Sequence, residues 1–152
     1  MPNSRQHRGR PRLLAEHLFV LDEQGQPTAL LGTRCTCCGR IDFPGGLVCP
    51  SCGLAGHLSG HVMSGAGRLH ALTVARVPSS LGHPAPRAYG YVDLPEDGTR
   101  IFAPLSGAPV GAFATGMDVR VVFGEIPATD LPGVWGYSFE PDEGALHGIG
   151  TA

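Results

Sequence analysis

All five cysteines of this 152-residue chain lie in one stretch, RCTCCGRIDFPGGLVCPSCG, residues 34–53. They read Cys35-x2-Cys38, ten residues, then Cys49-x2-Cys52, and each pair is followed at once by glycine. A C-x-x-C turn aims two thiolates at one ion, and its backbone N–H groups can donate to the sulfurs. The residue after the second cysteine bends sharply, often at positive φ, which glycine adopts without strain. Two such turns supply four thiolates for a tetrahedral Zn2+ at about 2.3 Å each. The spacing predicts a rubredoxin-like zinc ribbon with Cys35, Cys38, Cys49 and Cys52 as ligands and GRIDFPGGLV as a short β-ribbon between them. Cys37 does not fit the glycine register shared by Cys38-Gly39 and Cys52-Gly53, so it is the spare, turned away from the metal. Catalysis by Cys37 would need a base and an oxyanion site, and no nearby histidine sits in a motif that supports one. Four thiolates close a site to water and substrate, which marks the zinc as structural. His57-x3-His61 also has ligand-like spacing, but it follows Cys52 too closely for a Cys2His2 finger.

Other chemistry is sparse. The sequence has no G-x-S-x-G elbow, P-loop, G-x-G-x-x-G or H-E-x-x-H. Glu96 and Asp97 fall on an expected hairpin tip, where a solvated turn is the expectation, and Asp93 at a strand end is a weak catalytic candidate. No catalytic residue is assigned.

The elements that must position the cysteines are short strands. Hydrophobic content of 42% allows a core, while 23 Gly and 14 Pro argue against a helical bundle. LLAEHLFVL fits either two turns of helix or a short strand, and DEQGQP reads as a turn. Beyond the cysteines, GLAGHLSGH is expected to be a flexible bridge. Strands are expected at 68–77, 88–94, 99–105, 118–126 and 134–139, with Asp97-Gly98 at the tip of the second hairpin. Val119, Val121 and Phe123 share one face of the fourth. Five strands in this length suit a small closed barrel of the OB type, with a helix or loop at 106–116. The expected organisation is a disordered Arg-rich arm at 1–12, a helix or strand at 13–33, zinc ribbon and bridge at 34–61, barrel at 62–140 and a tail at 141–152.

Charge narrows the partners. There is no Lys, and four of the 11 Arg (Arg5, Arg8, Arg10, Arg12) lie in the first twelve positions. Elsewhere seven Arg face 13 acids, so the body of the chain is acidic, unlike a nucleic-acid binder whose phosphate contacts dominate affinity. No apolar run reaches the roughly 18 residues of a membrane span. The first twelve residues lack the apolar core of a secretory signal. The expectation is a cytoplasmic protein without a membrane segment.

LLGTRCTCCGRIDFPGGLVCPSCG, LSGHVMSGAGRLHALTVAR, AYGYVDLPEDGTRIFAPLSG and GMDVRVVF follow one another across most of residues 30–125. In that order they resemble the zinc-ribbon/OB-fold proteins associated with acyl-CoA metabolism. The resemblance implies a small accessory subunit that works with a thiolase-superfamily enzyme: a thiolase, an acyltransferase or a thiolase-like aldolase of steroid side-chain breakdown. Some members bind, or are fused to, hydratases of hot-dog fold. It further implies a hetero-oligomer, structural Zn2+, contact with acyl-CoA through the partner, and catalytic residues that belong to the partner. The zinc ribbon and the loop PSSLGHPAPR (78–87) are expected to face it. The chain differs from the family pattern in Gly45-Gly46 after Phe43-Pro44, and in LLAEHLFVLDEQGQP where a longer helix often stands.

Two other classes stay open on the residues. An OB barrel can bind single-stranded nucleic acid through stacked aromatics, for which Tyr89, Tyr91, Phe102 and Phe123 are candidates. Against this, residues 62–125 carry five Arg and five acids. A free-standing acyl-CoA binder would use Arg68, Arg76 or Arg87 on the CoA phosphates. The cysteine assignment is testable by metal analysis of purified variants. Cys49→Ser should release the metal and destabilise the ribbon, whereas Cys37→Ser should leave metal content unchanged. Equal loss in both would contradict the ligand set.

Overall fold

The computed structural model describes residues 9–143; the expected disorder of residues 1–8 and the tail from 144 onward lie outside the described residues. Two β-units share one apolar core, and no α-helix is present among the described residues. In the first unit, LLAEHLFVL resolves into a 3-10 turn at Glu16–Leu18 followed by a strand. Three residues of turn are all that Ala15 and Phe19, both extended, leave room for. Numbering strands along the chain, β1 is Arg12–Leu13, β2 Phe19–Leu21, β3 Pro27–Cys35, β4 Ile41–Asp42 and β5 Leu58–Val62. DEQGQP makes the expected turn, with the Asp22 carboxylate accepting from the amides of Gln24 and Gln26. β3 is the spine of the unit: β2, β4 and β5 all pair with it, antiparallel. The supposed flexible bridge is therefore half strand. Leu58 pairs with Cys35 and Val62 with Leu31, because β3 has an edge to fill beyond the reach of β2.

The second unit is the barrel. Its strands are β6 (Ala66–Ala75), β7 (Arg87–Leu94), β8 (Thr99–Pro104), β9 (Asp118–Glu125) and β10 (Val134–Pro141), each within two residues of the expected bounds. β6 pairs with β9 through Ala66–Arg68 and with β7 from Arg68 to Ala75, with a bulge between Leu69 and Ala71. A bulge bends and twists its strand, which lets β6 serve both halves. The order β10-β9-β6-β7-β8 is closed by a parallel bridge from Leu105 to Phe139 and by the Ser106 amide donating to the Phe139 carbonyl at 2.8 Å. This is a five-stranded OB barrel. β1 adds to β10 in parallel, so Arg12 is part of the sheet and the arm ends earlier than expected. Residues 106–116 form a loop with one 3-10 turn, Val110–Ala112. Alternation sets the faces: Ala88, Val92 and Leu94 of β7 and Ile101 and Ala103 of β8 are buried, while Tyr91 and Phe102 point outward.

The units meet through aromatic contacts and one polar cluster. Phe19 of β2 stands edge-on to Phe123 at 5.9 Å, and Phe43 stands edge-on to Tyr137 at 5.5 Å. Such pairs add about 0.5–1.5 kcal/mol beyond their burial. The expected solvated turn at Asp97 is overturned. The side chain is buried, its Oδ1 lies 2.8 Å from His61 Nε2, and its Oδ2 accepts from the Ser64 amide at 2.9 Å and hydroxyl at 2.8 Å. The reason is long-range: the β7–β8 hairpin folds beneath the ribbon, where the Thr99 hydroxyl also donates to the Ile41 carbonyl. Glu96 stays exposed, and Asp93 is paired to Arg100 at 2.6 Å as a surface ion pair.

Burial pushes the Asp97 carboxyl up, but the hydrogen bonds from His61 and Ser64 outweigh it and hold the group below the usual carboxylate range. A carboxyl depressed in the folded state contributes stability above its unfolded pKa of about 3.9 and loses it as pH falls through the folded value. Asp97→Ala strands the Ser64 amide and should cost about 1–3 kcal/mol at neutral pH, measured by urea unfolding. The gap from wild type should narrow progressively below about pH 4. No gap at neutral pH, or one that grows in acid, would contradict the assignment.

Candidate metal centre and outer surface

The two cysteine turns repeat each other bond by bond. In the first, Gly39 N–H donates to the Cys35 carbonyl at 2.8 Å and Cys35 N–H to the Arg40 carbonyl at 2.8 Å. In the second, Gly53 donates to Cys49 at 2.9 Å and Cys49 to Leu54 at 3.1 Å. Gly39 and Gly53 have φ of 76° and 72°, a region where a side chain would be strained. The glycine after each pair is thus the residue that lets the turn close. The His57 carbonyl accepts from the Thr36 amide at 2.7 Å and pins the first turn to the approach of β5.

The four sulfurs converge. Sγ of Cys35, Cys38, Cys49 and Cys52 all lie within 4.8 Å of one another, with Cys35–Cys52 at 3.7 Å and Cys38–Cys49 at 3.6 Å. A tetrahedron of metal–sulfur bonds of about 2.3 Å has edges of about 3.8 Å, so the donor set fits one tetrahedral ion. Cys35 and Cys49 are fully buried, and Cys38 and Cys52 are exposed. The Cys52 amide, and then that of Ser51, hold the Cys49 thiol down to about 7 against desolvation. The Leu54 amide favours the Cys52 thiolate, yet desolvation and the other three sulfurs push that thiol up to about 12. Thiolates crowded this closely oppose one another's ionisation unless a cation stands among them. Cys37 is exposed and outside the cluster.

Gly45, one of the departures from the family pattern, has a steric cause. A Cβ there would lie 2.3 Å from Thr33 Cγ2, so the β4–Cys49 segment crosses β3 too closely for any side chain. His57 and His61 do not join the sulfurs; His61 turns to Asp97. The four candidate stacking aromatics separate. Phe123 packs inward on Phe19, while Tyr89 stacks on Phe102 at 5.9 Å and Tyr91 tilts against it at 5.1 Å on the outer face. Of the three candidate arginines, Arg68 pairs with Asp118, Arg76 is exposed, and Arg87 lies 5.5 Å over the Tyr89 ring. The His61–Asp97–Ser64 cluster had no local signal, since its members come from separate strands and turns.

Apolar side chains remain on the surface of both units. Leu47 is 89% exposed, with Val48 and Leu54 beside the second turn, and Val77 is 75% exposed ahead of the loop that carries Leu81. No helix among the described residues is long and apolar enough to cross a membrane.

Residues 60–124 match the family of the ChsH2 C-terminal OB-fold domain. A DUF35 domain-containing scaffold protein of Methanothermobacter thermautotrophicus is 30% identical over 115 residues, covering 74% of this chain and 86% of that protein. The benzoylsuccinyl-CoA thiolase subunit BbsA of Thauera aromatica is 35% identical over 109 residues, 72% of this chain and 73% of that subunit. Among solved structures, the Ltp2-ChsH2(DUF35) aldolase aligns with a TM-score of 0.62 and 27% identity, covering 74% of this chain and 84% of that one. The order of ribbon and barrel, the barrel match and these relatives agree: the chain belongs to the DUF35 family.

Proposed function

We propose that this chain is an accessory subunit of a thiolase-superfamily enzyme, supporting acyl-CoA chemistry whose catalytic residues reside in the partner. The observation that carries the reading is the 35% identity to a protein named as a thiolase subunit, over 73% of that subunit. The likeness to an aldolase assembly containing a DUF35 chain supports it. In this reading Cys35, Cys38, Cys49 and Cys52 hold a structural Zn2+, because four sulfur donors leave no coordination position for substrate. Its role is to stiffen a surface.

That surface carries Leu47, Val48 and Leu54 of the ribbon, while Val77 and Leu81, by the 78–87 loop, are exposed apolar groups of the barrel. Exposed apolar groups on a rigid support favour a protein partner, since contacts on ordered elements lose less entropy on binding. The complex is a hetero-oligomer acting in the cytoplasm, and acyl-CoA meets this chain only where the partner presents it. The outer aromatics Tyr89, Tyr91 and Phe102 could stack bases, but the acidic balance of the chain outside its first twelve residues opposes a nucleic-acid reading.

The test is affinity purification of the tagged chain from its native host, with mass spectrometry of what is retained and an activity assay of the retained enzyme. The expected result is a thiolase-superfamily enzyme in near-equal amount whose activity falls when this chain is removed. Leu47→Glu with Val48→Glu should reduce recovery at least tenfold while leaving the melting temperature unchanged. Recovery of nucleic acid instead, lost as salt is raised, would overturn the reading.

A further inference from the structure

A cavity of about 340 Å3 opens on the barrel away from the cysteine cluster, between β9, β10 and the start of β7. It is within the size range of small-molecule sites. Its walls are mainly apolar, supplied by Leu105, Val122, Phe123 and Ile126. Arg87, Ser106, Glu125, Tyr137 and Ser138 break that lining with polar groups. Ser106 and Ser138 share one hydrogen bond at 2.6 Å, which uses one of their two hydroxyl hydrogens and leaves the other to be given. Arg87 lines the same cavity, and its Nη1 is the one buried side-chain nitrogen or oxygen without a hydrogen-bond partner among the described residues.

An unsatisfied buried guanidinium nitrogen is costly, since its lost hydration goes unreplaced. The Tyr89 ring, 5.5 Å from Arg87 Cζ, favours the charge without accepting a hydrogen bond. We propose that this cavity is a binding site for a small monocarboxylate with a short apolar body, its carboxylate on Arg87 and the Ser106–Ser138 pair. The guanidinium fork matches a carboxylate in a bidentate pair, and the apolar walls accept a hydrocarbon body.

The charge balance selects a monoanion. Glu125 lies on the lining, with its Oε1 accepting from the Gly133 amide at 2.9 Å, and brings one negative charge of its own. His83, beside the lining residue Pro84, is disfavoured as a second cation, because burial and the Arg87 charge lower its pKa. Burial raises the Tyr137 phenol, which therefore stays neutral on the wall. One guanidinium beside one carboxylate suits a singly charged ligand better than a phosphate dianion.

The test is titration of the isotope-labelled full chain with hexanoate, hexanamide and inorganic phosphate, followed by NMR on the Gly124 and Gly136 amides of the cavity wall. Hexanoate should give saturable shifts at both glycines. Hexanamide, of the same shape without the charge, and phosphate should each bind at least tenfold more weakly. Arg87→Met should weaken hexanoate at least tenfold with the fold retained, and Ser138→Ala several-fold. Hexanamide binding as well as hexanoate would reduce the site to an apolar slot and overturn the proposal. So would phosphate binding more tightly, no saturable shift with hexanoate, or unchanged affinity in Arg87→Met. Should Arg87→Met not fold, the comparison of hexanoate with hexanamide on the wild type decides.

Discussion

The meeting of four sulfurs at one point constrains more of this chain than any other interaction. It ties the end of β3 to two turns that are remote from each other in sequence, and thereby fixes where β4 and β5 lie against β3. β3 runs from that point into the core: Cys35 ends it at the sulfur cluster, and Leu30 in its middle is 1% exposed. A nine-residue strand held at the sulfur cluster and again at Leu30 behaves as a strut. Its orientation decides whether Phe19, Phe43 and Met63 meet the barrel, all three of which belong to the common core.

The barrel supplies the complementary half. Its inner face is filled by Leu69, Val92, Leu94, Val119 and Phe139, each no more than 1% exposed, and closure through Leu105 and Ser106 removes the free edges of the sheet. Such a platform holds surface groups in fixed relative positions. That suits recognition, where rigid presentation saves the entropy of ordering contacts. The placement of chemistry agrees: the cysteines form a closed donor set, Asp93 is tied to Arg100, and Asp97 is spent on holding the units together.

How much of this was legible in the sequence follows the range of the interactions. The cysteine spacing and its glycines encode two local turns, so the convergence of Cys35, Cys38, Cys49 and Cys52 could be read directly. Strands β6 to β10 were legible because alternation and turn residues are also local. β5 was hidden, since LSGHV has little apolar content and becomes a strand only by pairing with β3. LLAEHLFVL was ambiguous for the same reason: Phe19 is fixed by Leu30 across the sheet and by Phe123 of the barrel. Asp97 was misread because a PEDG turn looks solvated until the ribbon covers it. Arg87 stood out in the sequence only as one of three possible phosphate contacts, and only the closed barrel shows its Nη1 enclosed.

The central claim is that metal-held geometry in the ribbon supports the barrel surface through a shared core. Hydrogen exchange on the full chain, compared before and after removal of the metal by a chelator, tests it most directly. The account predicts that protection falls throughout β3 and β5, and also at Ser64 and along the parts of β9 and β10 that pack on Phe19 and Phe43, while β7 and β8 near Val92 and Ile101 remain protected. Unchanged protection in β3 and β5 without metal would contradict the account. Loss confined to residues 35–53, with the barrel contacts untouched, would contradict the coupling.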